Sequence, residues 1–148
     1  VGVLIKLKGE NRVIAGIRKG SHGAGTLALP GGHLEFGESW GECGSREVEE
    51  ETGVKVCEGE LSLCFVTNDV MSDENKHYIT IFMKCEVPSN TTFVNCEENK
   101  CEGWDSYSLE ELDGSGRLFG PLKNLVESKP REFVDWLEKD MVVKEEKR

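Results

Sequence analysis

Residues 31–54 read GGHLEFGESWGECGSREVEEETGV, and their spacing decides how the rest of the chain is understood. Two glycines follow Pro30 and turn the chain. Ser39 stands where a helix N-cap belongs, and Glu42 completes a capping-box pattern. The predicted helix runs from there to Thr52, with Gly53 placed as its left-handed C-terminal residue. Glu47, Glu50 and Glu51 recur at helical spacing and therefore share one face. Like charges so placed repel, and no gain in helix stability accounts for them. A solvated acidic face is the ordinary explanation of such a run. A hard divalent cation, Mg²⁺ or Mn²⁺, offers another, because it takes oxygen ligands and tolerates crowded carboxylates.

The fixed points of the stretch are Gly32, Glu38, the Arg46-Glu47 pair, apolar Val48, the Glu50-Glu51 pair, Gly53 and apolar Val54. Their spacing resembles the signature box of the Nudix hydrolases at every defining position. The resemblance implies that Glu47, Glu50 and Glu51 hold divalent ions, with the Gly31 carbonyl completing the shell. It also implies that one of the clustered glutamates, or another on a later loop, activates the attacking water. We assign that role to Glu50. Arg46 lies on the same side of the helix as Glu50 and Glu38, and orients the carboxylates without needing to touch substrate. Glu38 and Glu42 are read as structural.

The resemblance extends beyond the box. PGGHLEFGES, the HYIT strand, KCEGWD and LFGPL are similar to a MutT-like subgroup, nucleoside-triphosphate diphosphatases of the kind that act on modified or thiopurine nucleotides. This implies that Arg18 and His33 contact phosphate, that Gly32 lies against the substrate, and that residues 119–122, Leu122 among them, line the base pocket. The chain departs from the subgroup at Gly120-Pro121, where a bulky residue and glycine are usual. Pro121 removes one backbone donor from that wall, which predicts relaxed discrimination among bases. Glu97 or Glu98 could add a metal ligand, though an exposed loop acid is the ordinary reading.

At 148 residues the chain is expected to form one domain, 1–148, with a single sizeable core. It opens on Val1 inside an apolar run, from which we expect the native N-terminus to lie upstream. The net charge of −10 argues against a nucleic-acid polymer as partner, since phosphate backbones call for a basic footprint. It leaves a small phosphorylated substrate open, because bound metal offsets that charge. No apolar run reaches membrane-spanning length. The six cysteines form no CxxC pair, and Cys64 and Cys85 fall within apolar strands, so reduced thiols and a cytoplasmic location are expected.

In chain order, 1–8 and 12–18 read as a hairpin around Gly9-Glu10-Asn11, and 26–29 as a brief strand ended by Pro30. After the acidic helix come two longer strands, 60–71 and 77–87, joined by a polar loop. Residues 101–107 read as a further strand, SLEEL as a short acidic turn, and 118–126 and 131–143 as helices. Phe133, Trp136, Leu137 and Met141 form a core-facing stripe on the last of these. The pattern indicates an α/β sandwich with a mixed sheet between helical layers. The Nudix resemblance implies the same α/β/α architecture, with the box helix carrying the metal ligands, and its subgroup implies a homodimer.

The leading expectation is hydrolysis of a nucleoside triphosphate to the monophosphate plus pyrophosphate, with Mg²⁺. An NADH- or ADP-ribose-type pyrophosphatase is the alternative within the same chemistry. A non-catalytic nucleotide- or RNA-binding module is the alternative outside it, although such a module would be expected to lose box carboxylates that this chain keeps.

Overall fold

The structure is a computed structural model; it describes residues 1–146, with side chains described through residue 139. Ten elements order the chain: β1 (Gly2–Leu7), β2 (Arg12–Arg18), β3 (Leu27–Ala28), α1 (Trp40–Thr52), β4 (Ser62–Met71), β5 (Lys76–Val87), β6 (Cys101–Ser108), α2 (Leu109–Gly114), α3 (Gly120–Ser128) and α4 (Arg131–Glu146). The sheet runs β3-β2-β1-β5-β4, with β6 also pairing β2. Among the described strands, β1 and β5 pair in parallel and the other strand pairings are antiparallel, so the sheet is mixed.

Strand alternation divides the core into two layers. Val3 and Ile5 face one way with Val48 of α1, Val54, Val56 and Met83. Leu4 faces the other way with Phe82 and with Leu112, Leu122, Leu125, Phe133 and Leu137 from α2, α3 and α4. The predicted α/β/α sandwich is therefore present, with α1 on one face and α2, α3 and α4 on the other. Of the stripe predicted on α4, Phe133 and Leu137 are fully buried and Trp136 partly so, while Met141 lies outside the described side chains.

Helix α1 forms as its sequence requires. The Ser39 side chain accepts from the Glu42 N–H at 3.0 Å, and the Glu42 carboxylate accepts from the Ser39 N–H at 3.1 Å. Gly53 ends it at φ 75°, its N–H donating to the Glu49 carbonyl at 3.0 Å.

Three expectations are corrected. SLEEL is not a turn but the start of α2: Ser108 caps it by accepting from the Glu111 N–H at 3.1 Å, and Leu112 is fully buried. Helix α3 starts at Gly120 and not at Leu118, because Leu118 bridges Leu27 and the Phe119 N–H donates to the Leu27 carbonyl at 2.8 Å. The brief third strand shortens to Leu27–Ala28. The polar loop between β4 and β5 tightens into a 3₁₀ turn, Ser72–Glu74, closed by Asn75 at φ 52°.

Candidate active site

The acidic face of α1, the turn at Gly31-Gly32, one face of β5 and the start of α3 enclose a cavity of about 650 Å³. Glu47, Glu50 and Glu51 all line it, as helical spacing predicts. So do Arg18, Gly31, Gly32, His33, Arg46 and Leu122, whereas Glu98 and Gly120 do not.

Arg46 is the hub of the acidic wall. It binds Glu38 through two nitrogens, Nε to Oε2 at 2.7 Å and Nη2 to Oε1 at 3.0 Å. Its Nη1 donates to Glu47 at 2.8 Å and, more weakly, to Glu50 at 3.3 Å. Its Nη2 also donates to the His33 carbonyl at 3.2 Å, tying the helix to the glycine turn. The paired guanidinium and the Glu35 N–H hold the Glu38 carboxyl down at about 2. The structural reading of Glu38 and Glu42 agrees with these bonds.

The three clustered acids differ in commitment. The Glu47 side chain is 14% exposed and lies against Gly32, so that a Cβ at that position would have to displace its carboxylate. Glu51 is the most deeply placed, its Oε2 accepting from the Gly31 N–H at 2.8 Å. The Trp104 indole donates to its backbone carbonyl at 3.1 Å. Burial, with the like charges of Glu47 and Glu97, pushes the Glu51 carboxyl up to about 8 despite the Gly31 bond. Glu50 is 51% exposed and, among the described residues, its carboxylate has the long Arg46 contact alone.

These donors suit a hard cation: all are oxygens, and the buried Glu51 is crowded by acids instead of being neutralised by one close basic partner. Among the described residues they do not yet converge as a closed cage. At Gly31 the structure shows the N–H engaged with Glu51. Glu97 also lines the cavity, which lifts it above an ordinary loop acid, and Lys100 sits 3.6 Å from it.

The opposite wall is aromatic and cationic. The Arg18 guanidinium lies 4.2 Å from the centre of the Phe119 ring, and its Nε donates to the His22 carbonyl at 3.0 Å. Burial lowers its pKa from the ordinary arginine value. His33 meets Tyr78 edge-on at 5.9 Å, and His22 meets Phe119 at 5.2 Å and also touches Glu74. Burial pushes the His22 imidazole below its ordinary value. Tyr78, Thr80 and Phe82 were not expected here. Their alternation along HYITIF was legible as one strand face, but only the sheet order shows that this face fronts the acidic helix.

A family profile described as NUDIX domain matches residues 1–137. In sequence the chain is similar to an ADP-ribose pyrophosphatase of Methanocaldococcus jannaschii, 31% identical over 105 residues. That match covers 70% of this chain but only 60% of that protein. In fold it is similar to the MutT protein from Methanosarcina mazei Go1, at a TM-score of 0.65 and 23% identity over 99% of this chain and 93% of that one. It is also similar to the NUDIX domain of Shewanella oneidensis NrtR, solved with ADP ribose, at a TM-score of 0.67 and 15% identity over 85% and 81%. At these identities the structural likenesses speak for the fold alone.

Proposed function

The chain belongs to the NUDIX domain family, and from that premise we propose that it hydrolyses a nucleoside triphosphate to the monophosphate plus pyrophosphate with Mg²⁺ or Mn²⁺. The observation that carries this reading is the meeting, in one cavity, of an acidic wall on α1 with an aromatic wall that includes Tyr78 and Phe119, with Arg18, Lys19 and Lys100 alongside. The cations match a highly charged polyphosphate.

Glu47, Glu50 and Glu51 would hold the cation, which screens the phosphates and lowers the pKa of water bound to it. Arg46 positions the acids: its bonds to Glu38 fix the guanidinium, and the fixed guanidinium aims Glu47. Glu50 takes the proton from water, being the acid with the weakest hydrogen bond and the greatest exposure of the three. The water oxygen then bonds to phosphorus, and the bridging P–O bond breaks with its electron pair leaving on pyrophosphate. Arg18 and His33 bind phosphate oxygens, Gly32 lets the chain pass close to the substrate, and Leu122 packs on the base.

The similarity to an ADP-ribose pyrophosphatase favours a second reading, since ADP-ribose also carries one base. The test is kcat/KM for dGTP, dCTP, NADH and ADP-ribose at one Mg²⁺ concentration, with products identified. Triphosphates should lead and yield pyrophosphate. A value for ADP-ribose at least tenfold above every triphosphate transfers the assignment to the second reading.

A further inference from the structure

We infer that Asp69, which does not itself line the cavity, sets base preference by making the Thr80 hydroxyl a hydrogen-bond acceptor toward the ligand. Asp69 sits on β4 with no exposed surface. Its Oδ2 accepts from Thr80 Oγ1 at 2.5 Å and from Thr67 Oγ1 at 3.0 Å, and its Oδ1 accepts from Asn124 Nδ2 at 2.8 Å. A carboxylate only accepts, and a threonine hydroxyl has one proton to give. Thr80 therefore spends its proton on Asp69.

Thr80 lies between Tyr78 and Phe82 on the strand face that lines the cavity. What remains for a ligand is its pair of oxygen lone pairs. A freely rotating hydroxyl would serve a carbonyl or an amino group equally; this one serves an N–H donor and sets a lone pair against a carbonyl oxygen. The outermost donor a nucleobase offers is its exocyclic amino group. The same carboxylate holds Asn124 on α3, whose first turn brings Pro121 and Leu122 to the cavity. Asp69 thus couples two walls of one slot. Burying a carboxylate is costly unless charge-assisted hydrogen bonds repay it, and an apolar residue would fill the space more cheaply. The arrangement is explained by the direction it gives to the hydroxyl. Asp69 is a positioning residue in this account, acting through Thr80.

The inference rests on the reading that a nucleotide base occupies this cavity. Its test uses two purine pairs, each differing by one amino group: GTP against ITP, and ATP against purine riboside triphosphate. With Mg²⁺, the wild-type protein should prefer the amino-bearing member of at least one pair by about tenfold, mainly through KM, the size expected of one hydrogen bond. Thr80→Val should bring that ratio close to one, while Thr80→Ser keeps it. Asp69→Asn can turn an amide N–H toward Thr80 and free the hydroxyl proton, so its ratio should fall to one or below at similar kcat. If that variant does not fold, the Thr80 pair still decides. Equal use of both members by wild type, or a preference that survives Thr80→Val, overturns the inference. If none of the four is hydrolysed, the functional reading fails instead, and calorimetric binding of the four monophosphates then reads the amino preference directly.

Discussion

At Arg46 and Glu51 the same helix solves two opposite electrostatic problems. Arg46 gathers Glu38, Glu47 and Glu50 around one cation. Glu51 is left half-buried beside Glu47 and Glu97 with, among the described residues, the Gly31 N–H as its carboxylate's hydrogen-bond partner. Its folded pKa of about 8 lies above the ordinary 4.5, so between those values the native state keeps a proton that the unfolded chain releases. Metal-free stability must then fall as pH rises through that window, with a limiting slope of about 1.4 kcal/mol per pH unit, and level off above it. Urea titrations of metal-free protein from pH 5 to 9 measure this, and Glu51→Gln should flatten the profile. An equally steep fall in that variant would place the cause elsewhere. With metal present the same substitution removes a charged ligand. Turnover should drop by more than the roughly 10–100-fold typical of changes one shell further out. Burial also raises the thiols of Cys64 and Cys85, to about 11 and about 12. Native protein at pH 8 should therefore alkylate rapidly at the exposed Cys57 and Cys96 and slowly at the four buried cysteines. Mass mapping after a short iodoacetamide pulse gives the count, and fast labelling of Cys85 would contradict its placement.

Among the elements, those with local end signals could be read directly from sequence. Helix α1 has its capping box and its terminal glycine, and both are formed. Strands β4 and β5 follow their alternation and β-branched content. Helix α2 was missed because six residues hold too few turns to show a period, and its acidic residues resemble those of a loop. Its one informative residue, Leu112, has a partner surface that only the folded sheet supplies. Leu112→Ala should cost about 2–5 kcal/mol, as for other fully buried leucines, whereas Ser108→Ala, which removes only the cap, should cost about 1 kcal/mol. Chemical denaturation of both variants tests this. A cost for Leu112→Ala no larger than that of the cap change would mean that α2 is the surface turn its sequence resembles. The start of α3 was misplaced for a related reason. Leu118 and Phe119 continue an apolar run, yet their backbone is taken by Leu27 before the helix can begin.

Across the whole molecule, the acidic half of the site was legible from local spacing, whereas Arg18, His33 and Leu122 in the opposite half were expected only through the family resemblance, and Tyr78, Thr80 and Phe82 not at all. The acids lie within one helix, so their spacing alone fixes their common face. The base-side wall is assembled from β2, β5 and α3, residues as distant in sequence as Arg18, Tyr78 and Phe119. No local pattern announces such a meeting; it follows from the parallel pairing of β1 with β5. The fold therefore delivers a scaffold in which a crowd of carboxylates faces an aromatic wall, and its stability should depend on what relieves that crowding. A cation that binds only the folded chain stabilises it by mass action, by about 2.7 kcal/mol at a hundredfold excess over Kd. For a chain of this size that corresponds to a rise in melting temperature of about 5–10 °C. Calorimetric scans over a Mg²⁺ or Mn²⁺ titration should show this rise in the wild type. Monovalent salt at matched ionic strength should not reproduce it, since general screening acts on all surface charges alike. The variant with Glu47, Glu50 and Glu51 all changed to glutamine should start at least as stable without metal, because the repulsion is gone, and should gain almost nothing on titration. A full metal response in that variant would show that the cation binds elsewhere on the acidic surface, and the α1 face would lose its claim to be the metal site.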